Sequence, residues 1–443
     1  MPDPERALAQ TYAAHLDIVA NRAASALEAN GFSNGLWCSG IPANWMEDDQ
    51  GPPFRVNATF KAWAPLVDVP ECFIYFEAGR KPLLLLHQPP DYWYKPAQLP
   101  DAYWTSQFDL RPVVNRDAAR ASLPQDLSRT AYIGEAFAEL TAWGAAAVNP
   151  RPLLTRLDHE RAVKTPYELE CLREANRMGV RGHLAAAQAF AKGASEFEIA
   201  LSYLHACGQR EHELPYNPIV ALNEAASVLH YQVQERRAPW ERHSMLIDAG
   251  AEFAGYASDI TRTYSHQDKD FAALIEQMDE LQQSLCASVR AGVDWKDIHI
   301  SAHRLVAELL HTADFIYCDA EEALDSGVSS VFLPHGIGHL LGLQVHDVGG
   351  RLQSPQGGEI PRPAGHPYLR LTRVLEEGFV VTMEPGLYFI DQLLSQARAD
   401  ARAARINWTR VDQFRKFGGI RIEDNLAVST TGCENLTRDA FRA

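Results

Sequence analysis

Three histidines, His335, His339 and His346, fall within twelve residues of the stretch Leu333-Pro-His-Gly-Ile-Gly-His-Leu-Leu-Gly-Leu-Gln-Val-His-Asp347. Neutral imidazole is the commonest metal ligand and an acid–base group that works near neutral pH. His335 and His339 are spaced i, i+4, but Gly336, Gly338 and Gly342 disfavour a helix, so the stretch reads as a glycine-lined loop running into an extended segment. A zinc-protease helix is excluded, because Gly336 stands where that motif needs its glutamate base. Four acids keep the histidines company, each ending or interrupting a β-like apolar run. They are Asp248 in Leu246-Ile-Asp-Ala-Gly250, Asp259 in Tyr256-Ala-Ser-Asp-Ile-Thr-Arg-Thr263, Glu384 in Val381-Thr-Met-Glu-Pro-Gly386 and Glu423 in Gly419-Ile-Arg-Ile-Glu-Asp-Asn425.

A hairpin between Asp248 and Asp259 folds the second aspartate back beside the first. Strand alternation sends Ile420 and Ile422 one way and Arg421 and Glu423 the other, and puts Thr382 on the face of Glu384. Four buried carboxylates held together repel one another and stay protonated unless cations compensate them. Two divalent ions would do so. An oxygen-rich set with one imidazole favours Mn²⁺, with Zn²⁺ and Co²⁺ open as alternatives. Two ions roughly 3.5–4 Å apart turn a shared water into a nucleophile near neutral pH and polarise a carbonyl under attack.

The elements that must position these residues follow from local signals. Leu8, Tyr12, Leu16, Val19, Ala23 and Leu27 recur at steps of three or four and predict a helix over 4–30 with a stop at Gly31. Gly35–Cys38 reads as a strand, 41–54 as a loop rich in proline and acid, and Cys72–Phe76 with Pro82–Leu86 as a hairpin. Val148-Asn-Pro-Arg-Pro-Leu153 reads as a linker. Thr165-Pro-Tyr-Glu168 and Ser195-Glu-Phe-Glu198 are capping boxes, and Asp294 caps a third helix from Trp295 towards His311. The predicted class is α+β in two domains: a small N-terminal α/β domain over 1–155 and a catalytic domain over 156–443 in which helices cover antiparallel sheet. The chain has no internal repeat, no low-complexity tract and no Walker-type phosphate loop, and Gly250 and Gly255 fit a turn.

At 443 residues the chain exceeds a single core, and 46% hydrophobic with 22% charged residues is the composition of a soluble globular protein. A formal charge of −16 argues against nucleic acid as a partner. No apolar run has the length of a membrane span. Met1-Pro-Asp-Pro-Glu-Arg6 lacks the features of a signal peptide. Seven scattered cysteines without a Cys-x-x-Cys pair predict reduced thiols in a cytoplasm.

Asp248, Asp259, His339, Glu384 and Glu423, in that order and within those strings, resemble the dimetal centre of the pita-bread peptidases of family M24 (the creatinase/aminopeptidase fold), which include methionine aminopeptidase, aminopeptidase P and prolidase. Ile219-Val-Ala-Leu-Asn-Glu224, Leu229-His-Tyr231, Phe417-Gly-Gly-Ile-Arg-Ile-Glu-Asp-Asn425 and the chain length are most similar to the bacterial Xaa-Pro dipeptidases (prolidases, PepQ type). The resemblance implies two divalent ions per subunit, a metal-bridging hydroxide and hydrolysis of dipeptides with C-terminal proline. It implies that Glu384 shuttles a proton besides ligating. It also implies that His230 and His346 stabilise the developing oxyanion or substrate carboxylate, that Arg421 and Arg370 are forks for a carboxylate, that His335 lies behind His339 near the substrate, and that Tyr216 walls the pocket; the alternative readings are a buried counter-charge to the ligands for Arg421 and a core tyrosine for Tyr216. A homodimer is implied as well, with Asp48 or Asp49 reaching a neighbouring site. Asn217-Pro218 departs from the Gly-Asn expected after Pro-Tyr, which predicts a stiffer or displaced pocket wall. Related outcomes of the same site are organophosphorus acid anhydrolase activity and aminopeptidase P activity; a metal-free binding module is the reading from a different class.

Overall fold

The computed structural model describes residues 4–443, so the reading of Met1–Arg6 as lacking a leader falls in part outside the described residues. The chain divides into two compact units. One comprises Met1–Cys171 with Ala254–Tyr256 and Leu352–Gly358, the other Leu172–Phe253, Ala257–Arg351 and Glu359–Ala443.

In the first unit a helix over Pro4–Ala29 buries Leu8, Tyr12, Leu16, Ala23 and Leu27, the stripe its 3.6-residue period sets up. It ends where Gly31 adopts φ +77° and the amide of Phe32 returns to the Leu27 carbonyl at 3.0 Å. A six-stranded sheet follows, in the order Asp109–Val113, Leu83–His87, Phe73–Glu77, Asn34–Cys38, Thr130–Ile133, Ala147–Val148. The central hairpin pairs Phe73 with Leu85, and the outer strands run parallel to their neighbours. Both faces of the central strands are buried, Leu36, Phe73, Leu85 and Trp143 on one and a Trp37–Trp63–Phe76 ring cluster on the other.

Val148–Leu153, expected as a linker, is structured. Val148 ends a strand, the Asn149 side chain bonds the Gly134 carbonyl at 2.8 Å, and a helix spans Arg151–Arg161. Pro152 sits in that helix's first turn, where its missing N–H has no intrahelical partner to lose.

The helix Pro166–Ala191 opens on its capping box, the Thr165 amide to Glu168 Oε2 at 2.7 Å and the Glu168 amide to Thr165 Oγ1 at 3.3 Å. The chain passes into the second unit within it. Ser195 and Glu198 cap Glu196–Cys207 in the same way, and Asp294 Oδ1 accepts from the Lys296 amide to start Trp295–Thr312. All strand pairs of this unit's larger sheets are antiparallel. Ser244–Asp248 lies between Ile219–Leu222 and Thr261–Ser265, and Asp424–Val428 between Val380–Met383 and Cys433–Asn435; Gly386–Tyr388 pairs with Gly419–Arg421. Ala186, Phe190, Ile199 and Tyr203 from two helices pack on Val220, Leu222, Met245 and Ile247. This is the α+β arrangement predicted for the larger domain. No described helix is long and apolar enough to cross a membrane.

Candidate metal centre

Backbone pairing brings the five candidate ligands together. Asp248 ends its strand opposite Thr261, and the Ala249 amide bonds the Ile260 carbonyl at 3.0 Å, which returns Asp259 to the side of Asp248. The Glu423 amide bonds the Thr261 carbonyl at 3.1 Å. The histidine loop is laced to the strand that ends in Glu384: Thr382 amide to His339 carbonyl at 3.0 Å, Glu384 amide to Ile337 carbonyl at 2.9 Å. This lacing requires glycine, because a Cβ at Gly338 would lie 2.1 Å from the Thr382 carbonyl oxygen. As expected, 333–347 is a loop with no helix.

One ligand atom from each of Asp259, His339 and Glu423 lies within 4.8 Å of the other two. His339 Nε2 is 3.5 Å from Asp259 Oδ2 and 3.6 Å from Glu384 Oε1, the separation of two donors that share one ion at ~2.0–2.2 Å each. Its Nδ1 faces the Leu340 carbonyl at 3.0 Å, which fixes the tautomer that leaves Nε2 free to ligate.

The electrostatics say what is missing. Burial, helped by Asp259 and Asp248 and opposed by His339 and Arg421, pushes Glu384 up to about 7. Burial and three neighbouring carboxylates drive Glu423 well above the carboxylate range. Burial pulls His339 down, but Asp259 and Glu384 outweigh it and the imidazole is raised. The Tyr216 hydroxyl lies 2.7 Å from Asp248 Oδ1 and 2.6 Å from Asp259 Oδ1, with one proton for two carboxylate oxygens. Each of these is a deficit of positive charge, and divalent ions among the carboxylates remove it. The residues therefore fit a metal centre.

Two placements sharpen the expectation. Tyr216, expected as a pocket wall, turns its phenol oxygen onto Asp248 and Asp259, and does so with Asn217-Pro218 directly following it. Arg421, expected as a fork for substrate or a buried counter-charge, is 5% exposed and has a partner on every guanidinium nitrogen. Nη2 donates to Asp248 Oδ2 at 2.7 Å, Nη1 to the Tyr388 hydroxyl at 2.9 Å and Nε to Thr261 Oγ1 at 3.2 Å. Thr261 Oγ1 in turn donates to Glu423 Oε2 at 2.7 Å. A guanidinium held this way is a buried counter-charge that orients Asp248, because a neighbouring carboxylate has claimed the fork first.

His335 stands behind the ligands, its Nδ1 at 2.9 Å from the Gly336 carbonyl and its Nε2 at 2.8 Å from the Tyr388 hydroxyl. Burial and Arg421 lower it to about 4, so it is neutral and accepts from Tyr388. The His346 ring meets the His339 ring at 4.5 Å between centroids, and desolvation, His339 and Arg370 lower it to about 4. His230 and Arg370 are exposed, with charges felt at His346. Asp48 and Asp49 lie on an exposed loop of the first unit.

Tyr388, Thr261 and Asn425 were not singled out in the sequence. Asn425 Oδ1 accepts from the Asp259 amide at 3.0 Å, tying the second aspartate to the strand after Glu423. For Thr261 and Asn425 the available signal was strand alternation: each stands two residues from a ligand, on its face. Tyr388 lies past Pro385-Gly386, where that count is interrupted.

Comparison with known proteins gives two family matches. Residues 170–430 match metallopeptidase family M24, and residues 10–159 match the N-terminal domain of Xaa-Pro dipeptidase. The Xaa-Pro dipeptidase of Stenotrophomonas maltophilia (strain K279a) is 49% identical over 433 residues, covering 98% of this chain and 97% of the relative. That of Shewanella woodyi is 45% identical over 432 residues, covering 98% of each. Among solved structures, Escherichia coli aminopeptidase P with the inhibitor Pro-Leu superimposes with a TM-score of 0.73 at 23% identity, covering 96% of this chain and 95% of that one. Proline aminopeptidase P II from Yersinia pestis gives 0.71 at 23%, covering 98% and 96%. At that identity these two establish a shared fold.

Proposed function

The chain belongs to metallopeptidase family M24, and from that premise together with the geometry of its carboxylate cluster we propose that it hydrolyses Xaa-Pro dipeptides with two divalent metal ions. The observation that carries the reading is the set Asp248, Asp259, His339, Glu384 and Glu423, brought together with too little positive charge of its own, in a chain whose relatives match it end to end. The ions supply a Lewis acid for the scissile carbonyl and an acidified water as nucleophile. Manganese is our choice of ion, on the ground that four carboxylates and one imidazole form a hard donor set.

Around that centre the chain has distinct tasks. Glu384 is the group that takes a proton and passes it to the leaving nitrogen. His346 and His230 face the reacting carbonyl or the proline carboxylate, and the exposed Arg370 is the remaining candidate for a bidentate contact to that carboxylate. Arg421, with Tyr388 and His335 behind it, positions Asp248.

We assign residues 1–155 to dimerisation and substrate access and 156–443 to catalysis, a division supported by the family matches at 10–159 and 170–430. A homodimer is supported by large apolar side chains exposed in the first unit: Trp45 and Met46 beside Asp48, and Tyr92, Trp93 and Tyr94. A cytoplasmic setting is supported by seven free cysteines.

The test is an assay of metal-stripped protein on Xaa-Pro dipeptides, an Xaa-Pro tripeptide and a phosphotriester, before and after Mn²⁺. Dipeptide cleavage restored by Mn²⁺ with the tripeptide untouched is expected. Preferred cleavage of the tripeptide would move the reading to aminopeptidase P, a dominant phosphotriester rate to an anhydrolase. No hydrolysis despite stoichiometric metal would overturn it.

A further inference from the structure

A second set of ligand-type side chains lies outside the carboxylate centre. His299 and His303 stand one turn apart on the helix Trp295–Thr312, so both rings leave the same face. His366 meets them from the loop that precedes Arg370. His299 Nε2 is 2.9 Å from His366 Nδ1. The three rings lie 4.5–4.7 Å apart between centroids and meet edge to face at 71–90°. One nitrogen from each comes within 4.8 Å of the other two.

The chemistry of the set is that of neutral nitrogen donors. His299 and His303 are each 1% exposed. Burial, with the neighbouring imidazoles, lowers them to about 2 and about 3, and desolvation lowers the half-buried His366 as well. His303 Nδ1 is held by Ser329 Oγ at 3.1 Å, which orients the ring and leaves Nε2 buried without a hydrogen-bond partner. His299 Nδ1 is buried and unpartnered too. A buried polar nitrogen with no partner is costly, and two in one cluster call for an explanation. No carboxylate takes part, so the set differs from the oxygen-rich centre in the class of ion it prefers.

We propose that His299, His303 and His366 form a three-histidine site for a divalent transition ion of the zinc type, separate from the carboxylate centre, with one tetrahedral position left to solvent. Nitrogen ligation at ~2.0–2.1 Å draws the three rings together by a small side-chain adjustment, and the Ser329 hydroxyl supplies the outer contact that such a ligand needs. The ion ties the loop bearing His366 to the helix. That loop also backs onto the histidine loop of the catalytic centre, since a Cβ at Gly336 would lie 2.9 Å from the Leu369 Cα.

The experiment uses the full-length protein loaded with Mn²⁺, equilibrated with Zn²⁺ and desalted, with Zn²⁺ counted by elemental analysis. Wild type is expected to retain one Zn²⁺ per chain more than His366→Ala, whose side chain is half-buried on a loop, and one more than His303→Gln. With Co²⁺ as probe, the wild-type minus His366→Ala visible spectrum is expected to carry the intense bands of a four-coordinate nitrogen site. Equal Zn²⁺ in all three proteins, or a flat Co²⁺ difference spectrum between wild type and His366→Ala, would overturn the site. Neither readout depends on dipeptide hydrolysis, so failure here is distinguishable from failure of the proposed function.

Discussion

Glu423 and Asp424 are adjacent in the chain and both fully buried, yet their surroundings are opposite. Asp424 Oδ1 accepts from Arg262 Nη2 at 2.7 Å, and its Oδ2 accepts from Arg438 Nε at 2.6 Å, Asn435 at 2.9 Å and Gln282 at 3.0 Å. Burial alone would raise Asp424; the two guanidiniums and the amides lower it instead. Glu423 faces Asp259, Glu384 and Asp248 with Arg421 as its main internal counter-charge, and it is raised. One step along the chain turns the side chain from a region whose charges close within the protein to one whose charges do not. The lesson is that a buried acid is structural where the chain brings its own cations and functional where it leaves them out.

The sharpest way to break this comparison is to neutralise each acid in turn. Glu423→Gln is expected to abolish Mn²⁺-dependent dipeptide cleavage and lower the metal count while leaving metal-free stability nearly unchanged, because its neighbours already hold the metal-free carboxyl protonated and the amide is neutral too. Asp424→Asn is expected to cost about 3 kcal/mol of stability by leaving the part-buried Arg262 without its anion and Arg438 with Asp279 alone, with the metal count of the folded protein preserved. Paired chemical denaturation and metal analysis check both. If the two substitutions traded outcomes, the division would fail.

A smaller effect is readable from pH. Unfolded, Glu384 titrates near 4.5; folded and metal-free, near 7. Between these values the folded chain binds a proton that the unfolded chain lacks, so this group's contribution to stability falls as pH rises, by roughly 1.4 kcal/mol per unit. Metal-free wild type is therefore expected to lose roughly 3 kcal/mol relative to Glu384→Gln between about pH 4.5 and 7, measured as the difference of two denaturation series. With ions bound the sign reverses, since protons then compete with metal for the carboxylates. The smallest effect is expected from Tyr388→Phe, which removes the hydroxyl between Arg421 and His335. Dipeptide turnover should fall roughly 10-fold, the low end for a group that only orients a ligand, with stoichiometric metal retained at saturation. An unchanged rate would show that Arg421 holds Asp248 unaided.

What was legible in the sequence was local. Capping boxes at Thr165 and Ser195 involve partners three residues apart, and the loop character of 333–347 follows from its glycines. The five candidate ligands were legible because each sits in a short string with its own strand-ending context. What escaped was pairing over long separations. Arg262 meets Asp424 across 162 positions, Arg421 meets Asp248 across 173, and His299 meets His366 across 67. No period or cap reports such a partner, which is why Arg421 read as a fork for substrate ahead of a buried counter-charge and the histidine trio went unnoticed. Val148–Leu153 failed for another reason: a proline ends a helix in its interior but is welcome in its first turn, and composition alone does not tell the two apart.

The lacing of the ligand strands has a consequence for how the protein acquires its ions. The amide bonds Thr382 to His339, Glu384 to Ile337 and Glu423 to Thr261 run from backbone to backbone and use none of the side-chain atoms that would hold an ion. The sheet pairing itself thus fixes the backbone positions of these residues, and their ordering entropy falls to folding rather than to metal capture. Unlike a zinc finger, whose folding waits for its ion, such a scaffold can exchange one divalent ion for another without unravelling. Which ion occupies it then follows the supply around the protein as much as the preference of the cage, and a change in supply becomes a change in activity within the lifetime of a single folded chain.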